Sequence, residues 1–183
     1  MRVRIVVTGI VQGVGFRPFI YREAVKNSPT GYVRNMGDAG VEVLLEGTSQ
    51  NIEKFMSDLN SKKPPLAQID QIRHTEISGT NGYTKFTIYQ SLKEVENSGS
   101  IIPPDVAICN QCLRELRDPK NPRFDYFFIT CTDCGPRFTI IEQLPYDREN
   151  TAMKDFPLCG FCKKEYVDPK NRRFHAQTVA CPI

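Results

Sequence analysis

All seven cysteines of this 183-residue chain lie beyond position 108, at 109, 112, 131, 134, 159, 162 and 181. An odd number cannot close a disulfide framework within one chain. The spacing is C-x2-C-x18-C, and it occurs twice, offset by 50 residues. Asp118-Pro119-Lys120-Asn121 recurs as Asp168-Pro169-Lys170-Asn171, Arg123-Phe124 as Arg173-Phe174, and Cys131 as Cys181. Aligning 109–133 with 159–183 gives ten identities in 25 positions, which marks a tandem duplication.

The first unit continues to a second C-x2-C pair at Cys131 and Cys134. Two such knuckles supply four thiolates, and the 18-residue excursion lets them converge on one tetrahedral ion, so Cys109, Cys112, Cys131 and Cys134 form a predicted four-cysteine zinc site. A unit this small has little core, so metal binding supplies its folding energy, about 10–16 kcal/mol apparent for structural zinc. Phe124, Tyr126, Phe127 and Phe128 are the expected aromatic core beside it. An iron–sulfur cluster or redox dithiols are the competing uses of the same cysteines. The second unit shows only Cys159, Cys162 and Cys181; the repeat places its eighth cysteine one position past Ile183, as if the chain were cut inside a ligand set. His175, which replaces Asp125 of the first unit, is the candidate fourth ligand. A structural histidine is its plain alternative, with a water, a neighbouring chain or a vacant site completing the set.

The cysteine-free half opens with Arg2 to Thr8, whose polar–apolar alternation predicts a half-buried strand. Gly13 and Gly15 then allow unusual backbone angles, Pro18 favours a helix start, and Asn27-Ser28-Pro29 stops the helix. A glycine loop entering a helix N-terminus turns several N–H groups toward one point, an anion site. Arg17 adds a planar fork suited to phosphate oxygens. Strands over 31–35 and 41–45, a helix over 48–60 and strands over 69–77 and 83–89 follow. The order β-α-β-β-α-β predicts an α+β, ferredoxin-like domain over 1–91, a linker over 92–104, and a small irregular tandem zinc-finger domain over 105–183.

The string Gly9-Ile10-Val11-Gln12-Gly13-Val14-Gly15-Phe16-Arg17, followed by Gly31-Tyr32-Val33-Arg34-Asn35, resembles the two signature motifs of the acylphosphatase family across residues 3–90. The resemblance implies that Arg17 and the loop N–H groups of Gln12, Gly13, Val14, Gly15 and Phe16 hold a phosphoryl group. It implies that Asn35 orients the attacking water. The plain alternatives are a surface cation for Arg17 and a turn residue for Asn35. His74 reads as ordinary sheet surface.

With Cys134 to Ile141 (CGPRFTII) and Leu144 to Thr151 (LPYDRENT) between the fingers, the whole chain resembles the N-terminal part of the HypF family of hydrogenase maturation carbamoyltransferases. That resemblance implies hydrolysis of carbamoyl phosphate as the first step toward the cyanide ligand of a nickel–iron centre. It also implies downstream nucleotide-binding and transferase domains absent here, and HypE as the eventual partner. The rivals are a stand-alone acylphosphatase with a metal-binding tail, and a zinc-dependent nucleic-acid or protein-binding module. Lys163-Lys164 and Arg172-Arg173 with Phe161, Tyr166 and Phe174 could form a basic aromatic patch. Against it, the stretch from Lys93 onward carries 13 basic and 13 acidic residues, and the whole chain is only +3. No apolar run reaches membrane-spanning length and the start lacks a signal-peptide pattern, so the expected location is cytoplasmic.

Overall fold

A computed structural model describes residues 1–37, 39–79, 82–92 and 102–182. Most of the 92–104 linker falls outside the described residues.

The first half builds β1 (Arg2–Ile10), α1 (Phe16–Asn27), β2 (Thr30–Asn35), β3 (Val41–Glu46), α2 (Ser49–Ser61), β4 (Gln68–Glu76) and β5 (Phe86–Ile88). The sheet order is β4-β1-β3-β2-β5. Neighbours among the first four strands are antiparallel, and β5 runs parallel to β2 at the edge. This is the ferredoxin-like α+β arrangement that the element order predicts. β5 is shorter than the 83–89 expected from its aromatic and β-branched residues, because it pairs with β2 only from Phe86 to Ile88.

The alternation of β1 does the sorting. Val3, Ile5 and Val7 point to one face and join Val33, Val41, Val43 and Leu45. Phe16, Phe19, Ile20 and Ala24 from α1, with Ile52, Phe55 and Leu59 from α2, complete one core. On the other face Glu42 is buried between Arg4 at 2.5 Å and Arg34 at 2.6 Å, a cross-strand pairing of opposite charges.

α1 starts at Phe16, so Pro18 is its third residue rather than its first. The first helical turn has no intrahelical use for its N–H groups, so a proline is tolerated there. Gly15 takes φ 75° at the N-cap, and no side chain caps this end.

The second half is built of short pieces around the cysteines. α3 (Asn110–Arg117) and α4 (Gly160–Val167) occupy matching places in the two units. Each starts on a cysteine whose sulfur accepts from the backbone N–H of the next one, Cys112 to Cys109 and Cys162 to Cys159, both 3.4 Å. The turn after each helix repeats as well: Asp118 accepts from Lys120 N–H, and Asp168 from Lys170 N–H. Asp125 and His175 share φ 53°.

The expected aromatic core does not form. Phe127 is 88% exposed and Phe124 47%, while the interior is Ile129 with the sulfurs of Cys112, Cys131 and Cys134, flanked by Ile108, Leu116 and Tyr126.

The two halves are packed together. The Phe174 ring lies 5.2 Å from that of Tyr21 on α1. Among the described residues no helix is long and apolar enough to cross a membrane.

Candidate functional site

The glycine loop is pressed against the finger half. A Cβ on Gly13 would come 2.8 Å from Pro136 Cβ, and one on Gly15 would come 2.9 Å from Thr132 Cβ. Both glycines also have φ above 70°. Conformation and contact therefore demand glycine independently at each position.

Gln12 ties this loop to two neighbours. Its Nε2 donates to the carbonyl oxygens of Gly37 (2.6 Å) and Gly40 (3.4 Å), in the turn after Asn35. Its Oε1 accepts from Tyr146 N–H at 3.3 Å, across from the finger half.

Arg17, the second residue of α1, is buried at the mouth of the loop. Its Nη2 donates to Asp147 Oδ1 at 2.7 Å and to the Tyr146 carbonyl at 2.9 Å. Nη1 donates to Ser91 Oγ at 3.2 Å. The next residue, Leu92, donates its N–H to the Asn35 carbonyl at 3.0 Å. Residues 91–92 thus bridge the two motif residues that the sequence separates by 18 positions.

Asn35 closes β2 and is 1% exposed, yet neither Nδ2 nor Oδ1 has a hydrogen-bond partner among the described residues. A buried, unsatisfied amide costs about 1–3 kcal/mol. Such a group in a folded protein calls for a functional account.

Two cavities meet at Arg17, His175 and Gln177. The inner one, about 30 Å³, runs along the glycine loop and is lined from the finger half by Tyr146 and Thr178. The outer one, about 430 Å³, adds Tyr89, Asp147, Arg148 and Lys154. His175 therefore lines both cavities beside the glycine loop. Burial, reinforced by the Arg17 charge, pushes its imidazole down to about 4, so it is neutral near pH 7.

The sulfurs of Cys109, Cys112, Cys131 and Cys134 all lie within 4.8 Å of one another. Neighbouring sulfurs are 3.5–3.7 Å apart and none is disulfide-bonded. A tetrahedral ion with metal–sulfur bonds near 2.3 Å needs about 3.8 Å between sulfurs. The set fits such an ion. Cys159, Cys162 and Cys181 form the second cluster, with 3.4 Å between Cys159 and Cys181. His175 does not belong to that cluster.

Arginines reach the sulfurs from the opposite unit. Arg172 donates from Nη1 and Nη2 to Cys112 Sγ, both 3.1 Å, and Arg123 Nη2 donates to Cys162 Sγ at 3.3 Å. N–H donors of this kind stabilise the negative charge of a thiolate-bound metal. Arg173 and Phe174 are buried, and Arg172 is paired with Glu115 at 2.7 Å. Of the basic aromatic patch considered for nucleic acid, Lys163, Lys164 and Phe161 are exposed.

Sequence reasoning missed Tyr146, Asp147, Thr132 and Pro136 as neighbours of the loop. They lie more than 110 positions away from it in the chain, and only the tertiary contact brings them near. The Leu144–Thr151 stretch stood out in the sequence, but nothing in it pointed to Arg17.

Comparison with known proteins agrees with this anatomy. The acylphosphatase family profile matches residues 3–88 and the HypF finger profile matches 108–141 and 158–183. An acylphosphatase of Caldivirga maquilingensis is 39% identical over 89 residues, 48% of this chain and 93% of that protein. The class is therefore an acylphosphatase-type domain joined to a pair of HypF-type fingers. A probable carbamoyltransferase HypF of Methanocaldococcus jannaschii is 55% identical over 150 residues, 82% of this chain and 20% of the relative. The crystal structure of a full-length HypF in its phosphate- and nucleotide-bound form superposes with a TM-score of 0.91 at 44% identity, covering 99% of this chain and 24% of that one. HypF from T. kodakarensis gives 0.85 at 56% identity, covering 100% and 22%. The chain belongs to the HypF family and corresponds to its N-terminal part. It spans about a fifth of the length of the HypF relatives it matches.

Proposed function

We propose that this chain hydrolyses carbamoyl phosphate at the glycine loop, the first step of the carbamoyl transfer for which its relatives are named. The observation that carries the reading is Arg17 at the mouth of the loop, tied through residues 91–92 to the main-chain carbonyl of Asn35, whose side-chain amide is buried without a partner among the described residues.

In this reading the N–H groups of Gln12 to Phe16 and the Arg17 guanidinium hold the phosphoryl oxygens. Asn35 orients a water for in-line attack on phosphorus. The bond from phosphorus to the acyl oxygen breaks and carbamate leaves with the electron pair, while the water proton passes to the phosphate formed. Carbamate is a stabilised leaving group, so the chemistry needs positioning and charge stabilisation rather than a strong base. The open outer cavity gives access to Arg17.

Both cysteine clusters are assigned to zinc in a structural role. The first has a closed four-sulfur set, with no position left for substrate. Carbamate would pass to nucleotide-binding and transferase domains of the longer protein, with HypE as final acceptor for the cyanide ligand of a nickel–iron centre, in the cytoplasm.

The test is phosphate release from carbamoyl phosphate by the parent chain, Arg17→Ala and Asn35→Ala, with acetyl phosphate alongside. Activity lost in both variants supports the hydrolase. A preference for carbamoyl phosphate separates a maturation enzyme from a general acylphosphatase. An inactive parent chain with bound zinc and an intact fold refutes the assignment for this chain.

A further inference from the structure

We propose that Asp147, a residue of the finger half, is a positioning residue of the acylphosphatase site, holding the Arg17 guanidinium in the attitude in which it meets a phosphoryl group. The inference rests on the role of Arg17 given above.

A guanidinium has five N–H donors in one rigid plane. The dipeptide Tyr146–Asp147 takes both protons of Nη2, through its carbonyl at 2.9 Å and its carboxylate at 2.7 Å. Ser91 takes one proton of Nη1. Fixing two nitrogens from two directions fixes the plane, and among the described residues no partner takes Nε–H or the second Nη1 proton, the two donors proposed to meet the anion. The same dipeptide also donates Tyr146 N–H to Gln12 Oε1. One short segment therefore grips both the arginine and the loop, and sets one relative to the other.

The segment is itself anchored. Asp147 N–H donates to the Pro145 carbonyl at 2.8 Å, and Asn150 Nδ2 donates to the same carbonyl at 2.7 Å. The following residue, Arg148, donates to the carbonyls of Gln177, Val179 and Phe156 at 2.7–2.9 Å. Asp147 is thus presented by a braced turn rather than by a free loop. Catalysis that consists of positioning is sensitive to such a brace, since a displacement of about 1 Å can cost on the order of 100-fold.

The test compares the full chain with Asp147→Ala and Asp147→Asn. It measures kcat and KM for carbamoyl phosphate, inhibition by inorganic phosphate, bound metal and thermal stability. Asp147→Ala is expected to lower kcat/KM by about tenfold to a hundredfold and to weaken phosphate inhibition, with metal content unchanged. Asp147→Asn, which keeps an acceptor oxygen without the charge, should fall between it and the parent. Unchanged kinetics in Asp147→Ala overturns the inference, and so does a loss that merely tracks lost metal or stability. Tighter phosphate inhibition in both variants also overturns it, because the carboxylate would then be competing with the substrate. A parent chain with neither Arg17-dependent hydrolysis nor Arg17-dependent phosphate binding overturns the underlying reading, and this inference with it.

Discussion

Arg123 and Arg173 occupy the same place in the duplicated unit, and each reaches into the other unit for its carboxylate. Arg123 pairs with Glu165 at 2.5 Å, and Arg173 pairs with Glu115. The exchange extends to the backbone, where Arg123 Nε donates to the Ala180 carbonyl and Arg173 Nε to that of Thr130. The duplication has therefore built a pair with near two-fold character, in which each unit supplies the buried cation of the other.

Breaking one side of this exchange should loosen both units. Arg123→Ala removes the nearer of the two arginine partners of Glu165, leaving Arg173 at 3.3 Å, and takes a donor from Cys162, so we expect a loss of about 1–3 kcal/mol in the finger half. Denaturant unfolding and the rate of metal release to a chelator measure it. The double replacement Arg123→Met with Glu165→Met should recover much of the loss in stability, because it leaves no buried charge unpaired.

Gly15 tests the contact between the halves. Gly15→Ala meets both a left-handed backbone and Thr132 at 2.9 Å, whereas Gly79→Ala meets φ 79° with nothing within 4 Å. Both variants should lose about 1–2 kcal/mol to the backbone conformation. Gly15→Ala should lose more, and it alone should impair phosphate binding. Equal losses in thermal unfolding would mean that Thr132 does not press on the loop.

Asn35 is expected to trade stability for chemistry. Asn35→Ala removes a buried amide with no partner among the described residues, so stability should be unchanged or raised. Hydrolysis should fall by about 100- to 1,000-fold, the usual effect of deleting one positioned polar group. Parallel melting curves and phosphate-release rates decide it.

His175 gives a dependence on pH. Its folded value is about 4, below the ordinary 6.5, so the unfolded chain binds more protons between those values. The contribution is fully present above about pH 6.5 and is lost as pH falls toward 4. It amounts to at most about 3 kcal/mol. A titration of the His175 ring followed by NMR measures it. His175→Asn, which tolerates the left-handed backbone, should remove this part of the acid sensitivity.

Much of the first half was legible because its signals are local. Alternation in β1, helical spacing in α1 and α2, and punctuation by Gly and Pro each act over a few residues, and the ferredoxin-like order follows from them. The metal clusters were legible for a similar reason, since a metal needs a fixed number of sulfurs and the C-x2-C spacing delivers them in pairs. The aromatic run 124–128 misled, because burial is set by what packs against a residue. Here the sulfurs and Ile129 fill the small interior first.

The amino-acid sequence by itself determined the strand and helix order, the glycine loop with Arg17, the Asn35 position and the duplicated cysteine sets. Only the tertiary structure decided that the fingers cover the loop, that Asp147 holds Arg17, and that His175 lines the cavity beside the glycine loop rather than joining the second cysteine cluster. The physical reason is the range of the interactions. Periodicity, capping and metal-ligand spacing are written within tens of residues. A hydrogen bond between positions 17 and 146 exists only after two separately encoded surfaces have met.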